Sequence, residues 1–203
     1  TPEILEIGPG HGEFAARILA AGHTAYDVVE PNDTLRAKLE KLGVRRARSY
    51  LIPDLQEADA SYDAIIVCDV FEHLNDARDA QRFIAEASRV LRPGGILYIL
   101  SPDLMDWKED FYNCDFSHSN PTTVRRTHEM FLNERLATAG FAYSYSGFQG
   151  AIGWLLGRAV KAAATGKPAP NHAPSVITAI ASTIGTKTPE RRSARRWTWA
   201  LPV

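Results

Sequence analysis

Ile4-Leu5-Glu6-Ile7-Gly8-Pro9-Gly10-His11-Gly12 is a short apolar run that empties into three alternating glycines. The run reads as a buried strand. Glu13–Ala21 behind the glycines reads as a helix, with Phe14, Ile18 and Leu19 at core spacing and Gly22 as its stop. A strand-to-helix turn this rich in glycine lets backbone approach a ligand where any Cβ would collide. It also aims the first N–H groups of the helix at that ligand. Spacing decides which ligand. The dinucleotide fingerprint G-x-G-x-x-G needs its third glycine at position 13. Glu13 stands there, so nicotinamide binding is disfavoured.

Outward from this turn, short apolar runs alternate with helical patterns, the signature of βαβ units and a parallel sheet. Ala25–Glu30 reads as a second strand ended by Pro31, and Thr34–Leu42 as a helix closed by Gly43. Val44–Tyr50 is a weak strand, interrupted by Arg45, Arg46 and Arg48. Ala64–Asp69 reads by composition as a fully buried strand, Ala77–Leu91 as an amphipathic helix, Arg92–Gly95 as a break and Ile96–Leu100 as a fifth strand. Pro102–Pro121 is a long polar and aromatic loop, of a length common in lids and binding segments.

At 203 residues the chain fits one domain, 1–203. Its 45% hydrophobic and 23% charged residues are ordinary for a globular protein. A net charge of −1 provides no field for nucleic acid or an acidic membrane, so neither is expected as a partner. Cys68 and Cys114 stand far apart in no metal-type spacing, which fits a reducing cytoplasm. No apolar run approaches membrane-spanning length. Because the strand pattern begins almost at the first residue, further N-terminal residues are expected to precede Thr1.

Glu6-Ile7-Gly8-Pro9-Gly10-His11-Gly12 resembles the first motif of class I S-adenosylmethionine-dependent methyltransferases. Val28-Val29-Glu30-Pro31 places a carboxylate at the end of strand two, about twenty residues on, where a ribose clamp belongs. Tyr62–Leu74, followed by Leu91-Arg92-Pro93-Gly94-Gly95-Ile96-Leu97, resembles the fourth strand, its loop and the turn before the fifth strand of the same family. The likeness covers roughly residues 3–146. It implies a doubly wound, mostly parallel, seven-stranded Rossmann-like sheet and S-adenosyl-L-methionine as cofactor.

The resemblance assigns cofactor contacts to Glu6, Gly8, Gly10, Gly12, Glu30, Pro31, Asp69 and Val70. Asp54 and Leu55 are the best placement for the adenine contact, although Leu51-Ile52-Pro53 precedes them where a Gly-Asp pair is common. The acceptor is expected near Asp69–His73 and Ser101–Asp106, beyond strands four and five. A hydroxyl acceptor needs a general base, and the candidates are His73 and His118, since an unperturbed imidazole titrates near neutrality. Asp69-Val70-Phe71-Glu72-His73 also resembles a segment of ubiquinone-pathway O-methyltransferases that can bind a divalent cation. The sequence alone assigns no metal. The expected activity is O-methylation of a small molecule or glycan; a cofactor-binding scaffold acting through protein partners is the alternative.

Toward the C-terminus, Thr122–Ala139 reads as a helix and Phe141–Ser146 as a strand. Ala151–Ala164 and Pro174–Ile184 read as helices and Trp197–Val203 as a closing strand, making residues 147–195 a helical insertion between the last two strands.

Overall fold

The computed structural model describes residues 1–147 and 150–161, with side chains as far as Leu136. The glycine-ended run is strand β1 (Ile4–Ile7), and it lies inside the sheet, paired in parallel with β2 (Tyr26–Val29) on one side and β4 (Tyr62–Cys68) on the other. A strand so placed is covered on both faces, which is why it reads as a continuous apolar run and not as an alternation. β3 (Arg46–Arg48) flanks β2, and β5 (Leu91–Leu100) flanks β4, giving a parallel order β3-β2-β1-β4-β5.

Alternate side chains build two cores. Leu5, Ile7, Ile65, Val67, Leu97 and Ile99 pack on one face with Phe83, Ile84 and Ala87 of helix α3 (Ala77–Val90). Ile4, Val28, Ala64 and Ile66 pack on the other with Ala15 and Ile18 of α1 (Glu13–Ala20) and Leu39 of α2 (Asp33–Leu42). The two later helices start at side-chain caps. Asn32 accepts from the Thr34 and Leu35 amides, and Asp76 from those of Arg78 and Asp79. Such a cap contributes about 1 kcal/mol.

β3 is shorter than the expected Val44–Tyr50, and the arginines that made it weak have a purpose. Asp27, fully buried in β2, accepts from Arg45, Arg46 and the Tyr62 hydroxyl. Burial pushes the Asp27 carboxyl up, but these donors outweigh it and hold the group at about 2. The break expected at Arg92–Gly95 is a bulge within β5, between the pairs Tyr62/Leu91 and Ala64/Ile96, with Gly94 at φ 83°.

After β5 come two single-turn helices, α4 (Leu104–Trp107) and α5 (Asp110–Asn113), then α6 (Val124–Asn133), capped by Thr123. The helix expected over Thr122–Ala139 ends earlier, where Arg135 turns left-handed at φ 56°. The backbone then runs as β6 (Leu136–Gly147) and β7 (Gly150–Lys161), an antiparallel pair whose second strand also lies antiparallel to Ile96–Ile99. The helix expected from Ala151 is therefore extended over its described part. Gly150, Gly153 and Gly157 weaken a helix there, and β5 presents an edge whose N–H and C=O groups need partners. The remainder of the expected insertion, with Pro174–Ile184 and Trp197–Val203, lies outside the described residues. Among the described residues no helix is long and apolar enough to cross a membrane.

Candidate active site

Strand order reverses between β1 and β4, and the crevice of a doubly wound sheet opens beyond the carboxyl ends of the strands at that point. A cavity of about 270 Å³ lies there, lined by Ile7, Gly8, Gly10, Val29, Glu30, Pro31, Tyr50, Leu51, Ile52 and Val70. Its wall is mostly apolar, with one carboxylate, as small-molecule sites usually are.

The three glycines of the first turn have different surroundings. Gly8 sits at φ 68°, and a Cβ on it would meet Val70 Cγ2 at 2.4 Å, so its absence lets the loop after β4 close against the turn. Gly10 sits at φ 54° and a Cβ there meets nothing within 4 Å, because this residue faces the open side of the turn. Gly12 abuts α2, since its Cβ would lie 2.8 Å from Leu39 Cδ2.

Glu30 ends β2, only 5% exposed. Its two carboxylate oxygens accept from the Asn32 amide at 2.9 Å and the Gly10 amide at 3.3 Å. The acid is thus fixed by backbone and tied to the glycine turn it faces.

A second polar group gathers just past β4. Asp69 adopts φ 52°, and a short turn, Phe71–His73, follows. Glu72, 1% exposed, accepts from the Ser101 hydroxyl at 3.0 Å. Burial pushes its carboxyl up to about 7. Burial also raises Asp69, against the opposing pull of His73 and His118. His73 Nδ1 lies 2.9 Å from Ser117 Oγ, and that hydroxyl lies 2.6 Å from Asp115 Oδ1. His118 Nδ1 lies 2.5 Å from the Phe111 carbonyl, and its ring centre is 4.9 Å from that of His73. The Glu72 carbonyl accepts from the amides of Ser119 and Asn120, and Asn120 Nδ2 donates to the Phe71 carbonyl. These bonds clamp the loop after β5 onto the turn after β4.

Comparison with known proteins bears on this geometry. Residues 5–99 match a family model described as "Methyltransferase domain". A probable S-adenosylmethionine-dependent methyltransferase of Mycolicibacterium smegmatis is 28% identical over 146 residues, 68% of this chain and 51% of that protein. Among solved structures, an S-adenosylmethionine-dependent methyltransferase from Archaeoglobus fulgidus superposes with a TM-score of 0.67 at 15% identity, over 77% of this chain and 85% of that one. One from Methanosarcina mazei superposes at 0.62 and 18% identity, over 80% and 93%. Over residues 5–99 the chain is thus similar to S-adenosylmethionine-dependent methyltransferase domains. The chain spans about half the length of the curated relatives it matches.

The cofactor of this methyltransferase family is S-adenosyl-L-methionine, and the residues present suit it. Glu30 offers the carboxylate that a ribose diol requires, Gly10 leaves open the space a Cβ would fill, and Ile52, Val70 and Tyr50 give apolar wall for an adenine.

Of the residues the sequence assigns to the cofactor, Gly8, Gly10, Glu30, Pro31 and Val70 line the cavity. Glu6, Gly12, Asp54, Leu55 and Asp69 lie outside its lining. Glu6 is buried on the α1/α2 side, where its carboxylate accepts from the Tyr26 hydroxyl at 2.6 Å. Burial pushes it up to about 7, and the phenol holds it down. Asp54 pairs instead with Arg82 at 2.6 Å, and Leu55 is a core side chain packed in the same cluster as Phe83 and Ile84. The residues after β3 that line the cavity are Tyr50, Leu51 and Ile52. No motif marks this triplet, which follows the end of β3 at Arg48. The geometry brings His73 and His118 together, but it was also the source of Ser117, Asp115 and Phe111, which no motif announced.

Proposed function

We propose that the chain is an active methyltransferase that passes the sulfonium methyl of S-adenosyl-L-methionine to a hydroxyl oxygen of a small molecule or glycan. The observation that carries the reading is Glu30. A carboxylate fixed by two backbone amides at the mouth of a glycine turn is aligned for a diol before any ligand arrives, and preorganisation of this kind lowers the cost of binding. In this reading Gly8, Gly10, Glu30, Pro31 and Val70 hold the cofactor, with Asp69 and the turn after it directed to the reacting end.

Methyl transfer is an in-line displacement at an activated carbon, so alignment of donor and acceptor supplies much of the acceleration. A hydroxyl must also lose its proton. His73 and His118 are the groups to take it. If Ser117 donates to Asp115, its oxygen accepts the Nδ1–H of His73, and the Phe111 carbonyl takes that of His118. Each ring then keeps its lone pair on Nε2. The paired proton acceptors support oxygen as the methylated atom, and the polar rim of Ser117, Ser119 and Asp115 supports a hydroxyl-rich acceptor.

We also take the antiparallel pair β6–β7 as the closing hairpin of a seven-stranded sheet, supported by the register of Ile96–Ile99 against Gly157–Val160. A cytoplasmic setting is supported by the free thiols of Cys68 and Cys114.

Titration calorimetry with S-adenosyl-L-methionine tests the cofactor half, and a screen of phenols, sterols, sugars and amines for S-adenosylhomocysteine release tests the acceptor half. Saturable cofactor binding with turnover on hydroxyl compounds is expected. No heat at high micromolar cofactor would overturn the cofactor assignment, and saturable binding without turnover on any acceptor would overturn the reading in favour of a scaffold. Turnover on amines alone would overturn the oxygen assignment.

A further inference from the structure

Three side chains of the polar group converge more closely than a proton acceptor requires. One donor atom from each of Glu72, His73 and His118 lies within 4.8 Å of the others. We propose that Glu72, His73 and His118 form a binding site for a first-row divalent transition ion such as Zn²⁺.

The supports behind these atoms are those of a ligand set. A metal-bound imidazole almost always gives its other ring N–H to a carbonyl or carboxylate, which fixes the tautomer and the ring plane. His118 does so through Nδ1 to the Phe111 carbonyl. His73 does so through Nδ1 to Ser117 Oγ, which is in turn held by Asp115. With Nδ1 of each ring so engaged, Nε2 is the nitrogen left to bind an ion, and Glu72 is steadied by Ser101. Bonds of roughly 2.1 Å in a tetrahedron put neighbouring ligand atoms about 3.4 Å apart, a contraction that small side-chain rotations supply.

The donor set also selects the ion. Two imidazoles and one carboxylate suit zinc, manganese, iron or cobalt, and leave positions open for another ligand. Magnesium and calcium prefer oxygen alone. This grouping differs from the Asp69/Glu72/His73 segment suggested by sequence, because His118 comes from the loop after β5, 45 residues beyond His73. It stands apart from the methyl-transfer reading, since its test reads metal and not turnover. The two roles of the rings exclude each other in any one molecule: an imidazole that gives its lone pair to an ion takes no proton.

The test uses untagged protein stripped with a chelator and titrated with Zn²⁺, Co²⁺ and Mg²⁺, read by calorimetry and by the visible absorption of bound Co²⁺. One Co²⁺ per chain is expected, displaced by Zn²⁺ and not by Mg²⁺. His118→Ala and His73→Ala should each abolish the absorption while circular dichroism shows an intact fold. Glu72→Gln, which keeps an acceptor for Ser101, should weaken binding without unfolding. Ser117→Ala leaves all three ligands in place and should weaken binding by about tenfold, the scale of an outer-sphere support. The proposal is overturned if neither Zn²⁺ nor Co²⁺ binds saturably below about 1 mM. It is equally overturned if binding survives loss of both histidines, which would place the ion on other surface groups.

Discussion

Replacing Glu30 probes the cofactor assignment at its most specific point. Each of its oxygens has its own backbone donor, Asn32 N at 2.9 Å and Gly10 N at 3.3 Å, and the acid is almost fully buried. Glu30→Gln keeps the shape and one acceptor but turns an NH₂ towards the other amide and removes the charge. Glu30→Ala removes both acceptors. Hydrogen bonds to a charged partner contribute about 1.5–3 kcal/mol and neutral ones about 0.5–1.5. For a diol held by two bonds, loss of the charge therefore costs on the order of 2–3 kcal/mol. At 1.4 kcal/mol per tenfold, that is roughly 30- to 150-fold in Kd. Alanine should lose at least as much and should also destabilise the fold by about 1–2 kcal/mol, because two partly buried amides lose their partner. Calorimetry with S-adenosyl-L-methionine and S-adenosylhomocysteine reads the affinities, and thermal melting reads the fold. If both variants bind within twofold of the parent, the ribose assignment is wrong.

Other perturbations reach separate links of the argument. Gly8→Ala should destabilise by more than about 2 kcal/mol, since a left-handed φ adds to a 2.4 Å collision with Val70. Gly10→Ala should cost only the backbone term of about 1 kcal/mol while weakening cofactor binding; equal melting temperatures for the two variants would contradict this. Acid should unfold the domain partly through Asp27. Its folded value of about 2 lies below the ordinary 3.8, so its contribution is present above pH 3.8 and is lost as pH falls towards 2. That amounts to on the order of 2 kcal/mol between pH 5 and pH 2, to be read by urea unfolding at those two values. Glu6 acts in the opposite sense, because its folded value is raised from 4.5 to about 7. Its contribution is present below pH 4.5 and is lost as pH rises through 7. Tyr26→Phe removes the one hydrogen bond that holds the ionised form, so it should destabilise more at pH 8 than at pH 4.5. A cost independent of pH would mean that Glu6 does not titrate in this range.

What the sequence disclosed depends on how locally each feature is specified. The turn Gly8–Gly12 and the acid at Glu30 are contiguous with their strands, so reading the strands located them, and β1, β2 and β4 pair as the apolar runs implied. Asp54 and Leu55 lie outside the cavity lining, and their surroundings are set elsewhere: Arg82 and Glu86, about thirty residues later on α3, bond the Asp54 side chain and the Leu55 amide. The arginines of β3 read as a flaw in a strand, since a buried Asp27 with three donors leaves no local mark. The run after Gly150 is apolar enough for helix or strand, and the edge of β5, not the run itself, decides the matter.

The two ends of the site differ in the same way. The cofactor end is built by β1, β2 and the turns directly after them, and it exists once those strands pair. The end holding the histidines exists only because the Glu72 carbonyl and Asn120 fasten the loop after β5 to the turn after β4. With that clamp, the Ser117–His73 hydrogen bond and the contact between the two imidazoles fix His118 relative to His73. A domain so divided can keep the donor pocket constant while the fastened loop changes in length and chemistry. If the acceptor binds beside these histidines, as proposed, the residues that choose it belong on the loop, and the carbonyls that hold it are as much a part of the site as the side chains it delivers.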